Sequence, residues 1–241
     1  MLGIGHGVQG DPSRSGLADV FRSSYSLAFN GTDEFIEINS AGDNMTPATA
    51  GTISIWAIVT ATSGRATLIR GKADNSNEIF IFWHNSSDEM RFTYEAGGTG
   101  KKVQWDASDM AHDTWIHFAM TWDTTANELK AYVNGTQVGS TIGSLGEWEG
   151  TIDDMDLARN PADGAYFKGQ MDEVSIWTSV MNITTLYNGG KRRKLTAVSD
   201  LDITKLAAYY PMEEGSGTTT NDKTTNRNHG NLNNTPTWTA L

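Results

Sequence analysis

The sequence predicts an all-β protein of short antiparallel strands, a sandwich or a barrel. Three observations predict it. Short runs of alternating apolar and polar residues recur about every ten residues, separated by Gly, Asn, Asp or Ser. One stretch, Thr114 to Gly139, reads as two strands and a hairpin on its own. The chain of 241 residues is 38% hydrophobic and carries 8 Trp, 8 Phe and 7 Tyr, which supplies core material and excludes a disordered chain.

The hairpin stretch organises the rest. Ile116, Phe118, Met120 and Trp122 alternate with Trp115, His117, Ala119 and Thr121, so one apolar row faces one side of a sheet. Asp123 to Glu128 turns the chain, and Leu129, Ala131 and Val133 resume the alternation. Asn134-Gly135 then predicts a tight primed turn, because both residues tolerate positive φ.

In chain order, residues 1–24 hold five glycines, a proline and scattered apolar residues, and read as an arm preceding a domain at 25–241. Strands are expected at Tyr25–Phe29, Phe35–Ile38, Ile53–Val59, Leu68–Arg70, Glu78–Trp83, Met90–Glu95 and Val103–Trp105. Beyond the hairpin come Met155–Ala158, Phe167–Trp177 and a last strand, Leu206–Tyr210. One short helix is expected at Met181–Tyr187, stopped by Gly189-Gly190. Lys191–Lys194 reads as a basic surface loop, and the chain after Tyr210 as an Asn/Thr/Gly-rich tail.

Composition excludes several classes of function. A formal net charge of -11 opposes a general nucleic-acid binder, which needs a basic face for phosphates. No cysteine is present, so disulfides and thiolate chemistry are absent. No run approaches the length of a membrane span, and the first residues lack the apolar core of a signal peptide.

Five segments taken together resemble the laminin G-like, or concanavalin A-like lectin/glucanase, family. They are SLAFNGTDEFIEI (26–38), TISIWAIV (52–59), TWIHFAMTWDTTANELKAYVNGTQVG (114–139), FKGQMDEVSIWTSVMNITTLYNGG (167–190) and LAAYYPMEEGSGTTTNDKTTNRNHGNLNN (206–234). The resemblance implies an antiparallel two-sheet jelly-roll sandwich. It differs in one respect: the EGSG segment and the DxTxN that follows, which often open such domains, here come last. The Leu206–Tyr210 strand is therefore expected either to fill that slot in its own sandwich or to pair with a neighbouring copy.

Catalysis finds no support in the residues. Asp154 and Asp156 share a strand face, but glucanases of this fold place two glutamates around an aspartate on one strand, and no such run occurs. His117 reads as a structural histidine within its strand. Calcium is the expected cofactor on the resemblance, because such domains often hold one at a sheet edge, with Asp33, Asp172, Asp222 and Asn226 as candidate ligands offering hard oxygens. Trp83, Trp105 and Trp148 are the candidate aromatic platforms for a glycan. The arm, the missing signal and cysteines, and a lone laminin G-like domain resemble small virion proteins of tailed bacteriophages. On that reading Leu2, Ile4, Val8, Leu17 and Phe21 anchor the arm to other virion proteins or to copies of this chain, and the domain is exposed on the virion surface. The alternative is an extracellular lectin module for cell-surface glycans, with calcium as its cofactor.

Overall fold

Trp115–Asp123 lies inside one sheet and pairs with Glu128–Val133, Phe118 opposite Val133 and Trp122 opposite Leu129. The turn into Thr136–Ile142 has Asn134 at φ 48 and Gly135 at φ 77, the left-handed pair that an Asn-Gly hairpin requires. In this computed structural model residues 23–60, 64–197 and 199–241 are described, so the arm residues Leu2, Ile4, Val8, Leu17 and Phe21 lie outside them.

The first sheet runs, edge to edge, Thr136–Ile142, Glu128–Val133, Trp115–Asp123, Ala50–Val59, Lys168–Trp177, Tyr25–Asn30 and Thr237–Ala240. The second runs Thr219–Thr220, Gly230–Asn233, Phe35–Glu37, Asp154–Leu157, Arg65–Asp74, Asn77–His84, Glu89–Ala96 and Thr99–Asp106. All pairings are antiparallel. The two apolar faces close on one core, which holds Leu27, Ile36, Ile55, Ile81, Phe92, Phe118, Met120 and Trp122. The protein is an all-β, two-sheet antiparallel sandwich.

Lys168–Trp177 is the strand that joins the ends of the chain. One of its edges takes Ala50–Val59 along its whole length. The other edge is shared: Tyr25–Asn30 pairs with its first half and Leu206–Tyr210 with its second. The register slips between Asp172 and Ser175, and Glu173 has φ 50, so a bulge marks the place where the two partners meet. The Leu206–Tyr210 strand thus closes its own sandwich, the first of the two expected arrangements. The tail is not structureless: Gly230–Asn233 pairs with Phe35–Glu37, and Thr237–Ala240 with Tyr25–Ala28. Those strands lack an apolar rhythm and form through backbone pairing at sheet edges.

The outer face of the first sheet is covered as well. His117 and Ala119 are fully buried although they face away from the main core. Residues 178–197 and 199–205 fold back over them and make a second, smaller core of Ala119, Trp177, Ile183, Leu186, Leu195, Leu201, Leu206 and Tyr209. The helix in this layer spans Ile183–Tyr187, with Asn182 accepting from Thr185 N as its N-cap and Asn188 left-handed at its end. His117 Nε2 lies 2.7 Å from Ser54 Oγ, and burial pushes the ring pKa down to about 3, so the imidazole is neutral and structural.

Candidate functional site

The outer face of the second sheet is only partly covered. In Asn77–His84 the side chains of Ile79, Ile81 and Trp83 enter the core, so Glu78, Phe80, Phe82 and His84 face outward by the two-residue period. Register then builds rows across the sheet. Arg70, Phe80, Thr93 and Lys102 form one, and Thr67, Phe82, Arg91 and Gln104 the next. The Phe80 and Phe82 rings stack, with centroids 5.2 Å apart and planes 26° from parallel. The Arg65 and Arg91 guanidinium groups lie 5.2 and 5.8 Å from the Phe82 centroid, which leaves half-buried Phe80 as the ring presented to solvent.

The polar groups around these rings are fixed in position and charge. Arg70 is only 2% exposed; its Nη2 meets Glu78 Oε1 at 3.1 Å and its Nη1 meets Asp154 Oδ2 at 3.0 Å. Arg91 and Gln104 donate to Glu89 and hold its carboxyl down to about 2, so Glu89 stays ionised. His84 is pushed down by burial and by the Arg91 and Arg65 charges, which favours a neutral ring. Arg65 also reaches Asp163 at 2.6 Å across a cleft of about 450 Å³ lined by Gly31, Asp163, Gly164 and Tyr166. The hairpin Arg159–Asn160 and Ala165–Tyr166 builds one wall of that cleft. Stacked rings, forked guanidinium donors, amides and an adjoining polar cleft can hold a ring-shaped polyol by its apolar face and its hydroxyls together.

The three tryptophans expected as platforms lie elsewhere. Trp83 is 1% exposed and meets His112 edge-on, and Trp148 is 7% exposed against Tyr94 with its Nε1 on the Gly150 carbonyl. Trp105 is half-buried and packed on the core. The physical reason is the strand period: Trp83 and Phe82 are neighbours in sequence and therefore on opposite faces. The alternation Glu78, Phe80, Phe82, His84 was the signal that pointed to the exposed face.

The four expected metal ligands are not brought together. Asp33 accepts from Asn30 Nδ2 at 2.9 Å within its turn. Asp222 is buried and accepts from Tyr209 N, Thr224 N, Thr224 Oγ1 and Asn228 N, while Asn226 Nδ2 donates to the Ala207 carbonyl. Both brace the Leu206–Tyr210 strand. Asp172 instead joins two acids, Glu173 at the bulge and Glu213 just past the last core strand, with one oxygen of each within 4.8 Å of the others. Burial, and for Glu173 also the charge of Asp172, pushes the carboxyls of this pair upward.

The donor chemistry of this junction does not fit calcium as it is folded. Asp172 Oδ2 takes Arg192 Nη1 at 2.9 Å and lies 2.6 Å from Ser23 Oγ, and Asp172 Oδ1 accepts from Glu173 N at 3.0 Å. Both Glu213 oxygens accept from Ser24 N at 3.0 Å, and Glu173 Oε2 meets the Tyr209 hydroxyl. Among the described residues only Glu173 Oε1 lacks a partner, whereas calcium calls for six to eight oxygens. In the Lys191–Lys194 loop, Arg192 is thus engaged inside the fold, and Arg193 reaches Asp200 and the Thr185 carbonyl.

The profile described as the concanavalin A-like lectin/glucanases superfamily, a laminin G-like family, matches residues 30–185, more than half of the chain. The chain belongs to this family. Among solved structures it is similar to a candidate carbohydrate-binding protein of Bacteroides ovatus, at TM-score 0.63 and 17% identity, over 92% of this chain and 61% of that one. It thus spans about three fifths of the Bacteroides protein. It is also similar to the CBM40 module of the Ruminococcus gnavus IT-sialidase bound to α2,3-sialyllactose, at TM-score 0.54 and 14% identity, covering 68% and 96% of the two chains. Domain 4 of the Geobacillus stearothermophilus arabinanase AbnA, in complex with arabinotriose, aligns at TM-score 0.53 and 16% identity over 68% and 75%. No curated protein matches. Among the described residues no helix is long and apolar enough to cross a membrane.

Proposed function

We propose that the protein is a non-enzymatic glycan-binding module, and that its ligand lies on the outer face of the second sheet, over Phe80 and toward the Arg65–Asp163 cleft. The observation that carries this reading is the stacked Phe80–Phe82 pair on a solvent-facing sheet surface, flanked by Arg65, Arg91 and His84. The likeness in fold to modules solved with sialyllactose and arabinotriose supports it. The acids once considered for catalysis serve otherwise: Asp154 pairs with Arg70 and Asp156 with Arg159. Attachment to a virion through the 1–24 arm rests on Leu2, Ile4, Val8, Leu17 and Phe21, which lie outside the described residues, and enters the proposal as a setting, a glycan-reading domain displayed on a particle or outside a cell.

A glycan array followed by titration of the strongest hit tests this reading. Phe80→Ala is expected to weaken that hit about tenfold or more, with the melting temperature nearly unchanged because the ring is half-buried. Unchanged affinity in the variant, or no hit on a broad array, contradicts it.

A further inference from the structure

We propose that the ligand of the Phe80 surface is a linear chain of uncharged sugars, and that the exposed Arg65–Asp163 pair reads two neighbouring hydroxyls of a further sugar in the adjoining cleft. This inference rests on the glycan reading above and adds the ligand's length and charge. Arg65 belongs to both places at once. Its guanidinium carbon lies 5.2 Å from the Phe82 centroid, and its Nη1 meets Asp163 Oδ2 at 2.6 Å. The Phe80–Phe82 stack and the cleft are therefore one continuous surface. Arg65 pairs in register with His84, four residues along the strand from Phe80, a separation of about 13 Å at about 3.3 Å per residue. A single ring seated over Phe80 does not cover that distance, whereas a chain of sugars does.

Charge decides the class of sugar. Each guanidinium that touches the ring pair has its own acid: Arg65 has Asp163 and Arg91 has Glu89. An acidic sugar entering the cleft would meet the Asp163 carboxylate without gaining a free cation. The Arg65 and Asp163 side chains are nevertheless 44% and 31% exposed, which leaves N–H donors and carboxylate lone pairs open to the cleft they line. A hydroxyl both donates and accepts, so a neighbouring pair can accept from Arg65 and donate to Asp163 together. The cleft, about 450 Å³, has room for a sugar ring. Two of its lining residues are glycines with positive φ, Gly31 at 77 and Gly164 at 64, where the wall is bare backbone.

Titrations of the full chain with linear oligosaccharides of glucose, galactose, mannose, xylose and arabinose test the proposal. Each series runs from the single sugar to the tetrasaccharide, as such and with its terminal unit oxidised to the uronic acid. The best neutral series is expected to gain about tenfold or more in affinity from single sugar to trisaccharide, and its uronic-acid forms to bind more weakly. Asp163→Ala, at an exposed hairpin position, is expected to abolish that gain and to leave the affinity for the single sugar unchanged. Asp163→Asn frees the Arg65 charge and is expected to raise the uronic-acid trisaccharide about tenfold relative to the neutral one. Affinity that ignores chain length, or a preference of the unsubstituted protein for the acidic forms, overturns the proposal, as does a D163A that keeps the whole gain. Phe80→Ala separates the two readings. Where F80A weakens every length and D163A weakens none, the glycan seat stands and the cleft inference falls. Where F80A weakens none, or no series binds, both fall.

Discussion

Trp122→Ala is expected to lower the free energy of unfolding by about 3–5 kcal/mol, measured by denaturant titration. The side chain is fully buried at the middle of the main core. Its ring stacks on Tyr94, with centroids 6.3 Å apart, and Tyr94 in turn donates its hydroxyl to the Pro47 carbonyl at 2.8 Å. Across the sheet its pairing partner is Gly51, where a β-carbon would fall 2.2 Å from the indole. The glycine is there because the ring needs the space, so an alanine at 122 leaves a void lined by backbone that cannot collapse into it. A loss below about 1 kcal/mol would place Trp122 at the surface and shift the register of the Trp115–Asp123 strand by one residue.

Between pH 4 and 7 the unsubstituted protein is expected to lose stability relative to Asp156→Asn. Asp156 lies on the outer face of the second sheet, yet it is 1% exposed beneath Arg159, whose Nη2 meets its Oδ2 at 2.6 Å and whose guanidinium carbon sits 3.5 Å from the Phe35 centroid. Among the described residues its Oδ1 has no partner. Burial outweighs the pull of Arg159 and raises the carboxyl from 3.8 to about 6, with Asp154 and Glu37 adding to the rise. A raised acid binds its proton more tightly folded than unfolded. Its stabilisation is therefore complete below about pH 4 and is lost as the pH rises through about 6, a change of about 3 kcal/mol for two units. Asparagine keeps the shape and cannot titrate. Subtracting the variant's stability from that of the parent at each pH isolates Asp156 from Asp172 and Glu173, whose carboxyls are raised in the same sense. A difference that stays flat across this range contradicts the burial of the charge.

The parts of the fold that could be read in the sequence are those encoded locally. The apolar row Ile116 to Trp122, the Asn134-Gly135 turn and the Asn182-capped helix each carry their structure within a few residues. The second core could not be read that way, because His117 and Ala119 alternate as any solvent-facing row does until the layer with Ile183, Leu186, Leu195 and Leu201 covers that face. The tail strands escaped for the opposite reason: Gly230–Asn233 has no apolar row and is a strand because Phe35–Glu37 offers it an edge. At the acidic junction only Asp172 and Glu173 are contiguous. Glu213 and Ser23 arrive from 40 residues downstream and 149 upstream, a convergence that topology creates and no spacing announces. The outward row of Phe80 and Phe82 was encoded by the strand period, whereas Trp83, one residue on, faces the core.

The central claim, a glycan seated over Phe80, is tested most directly by chemical-shift mapping of the labelled protein titrated with its strongest array hit. The account predicts perturbations confined to Glu78–His84, Arg91, Thr93 and the Arg65–Tyr166 cleft, with the Phe80 ring signals moving most. Shifts clustered instead around the Trp115 and Arg192 surface of the first sheet, or on the Asn221–His229 loop, would contradict it.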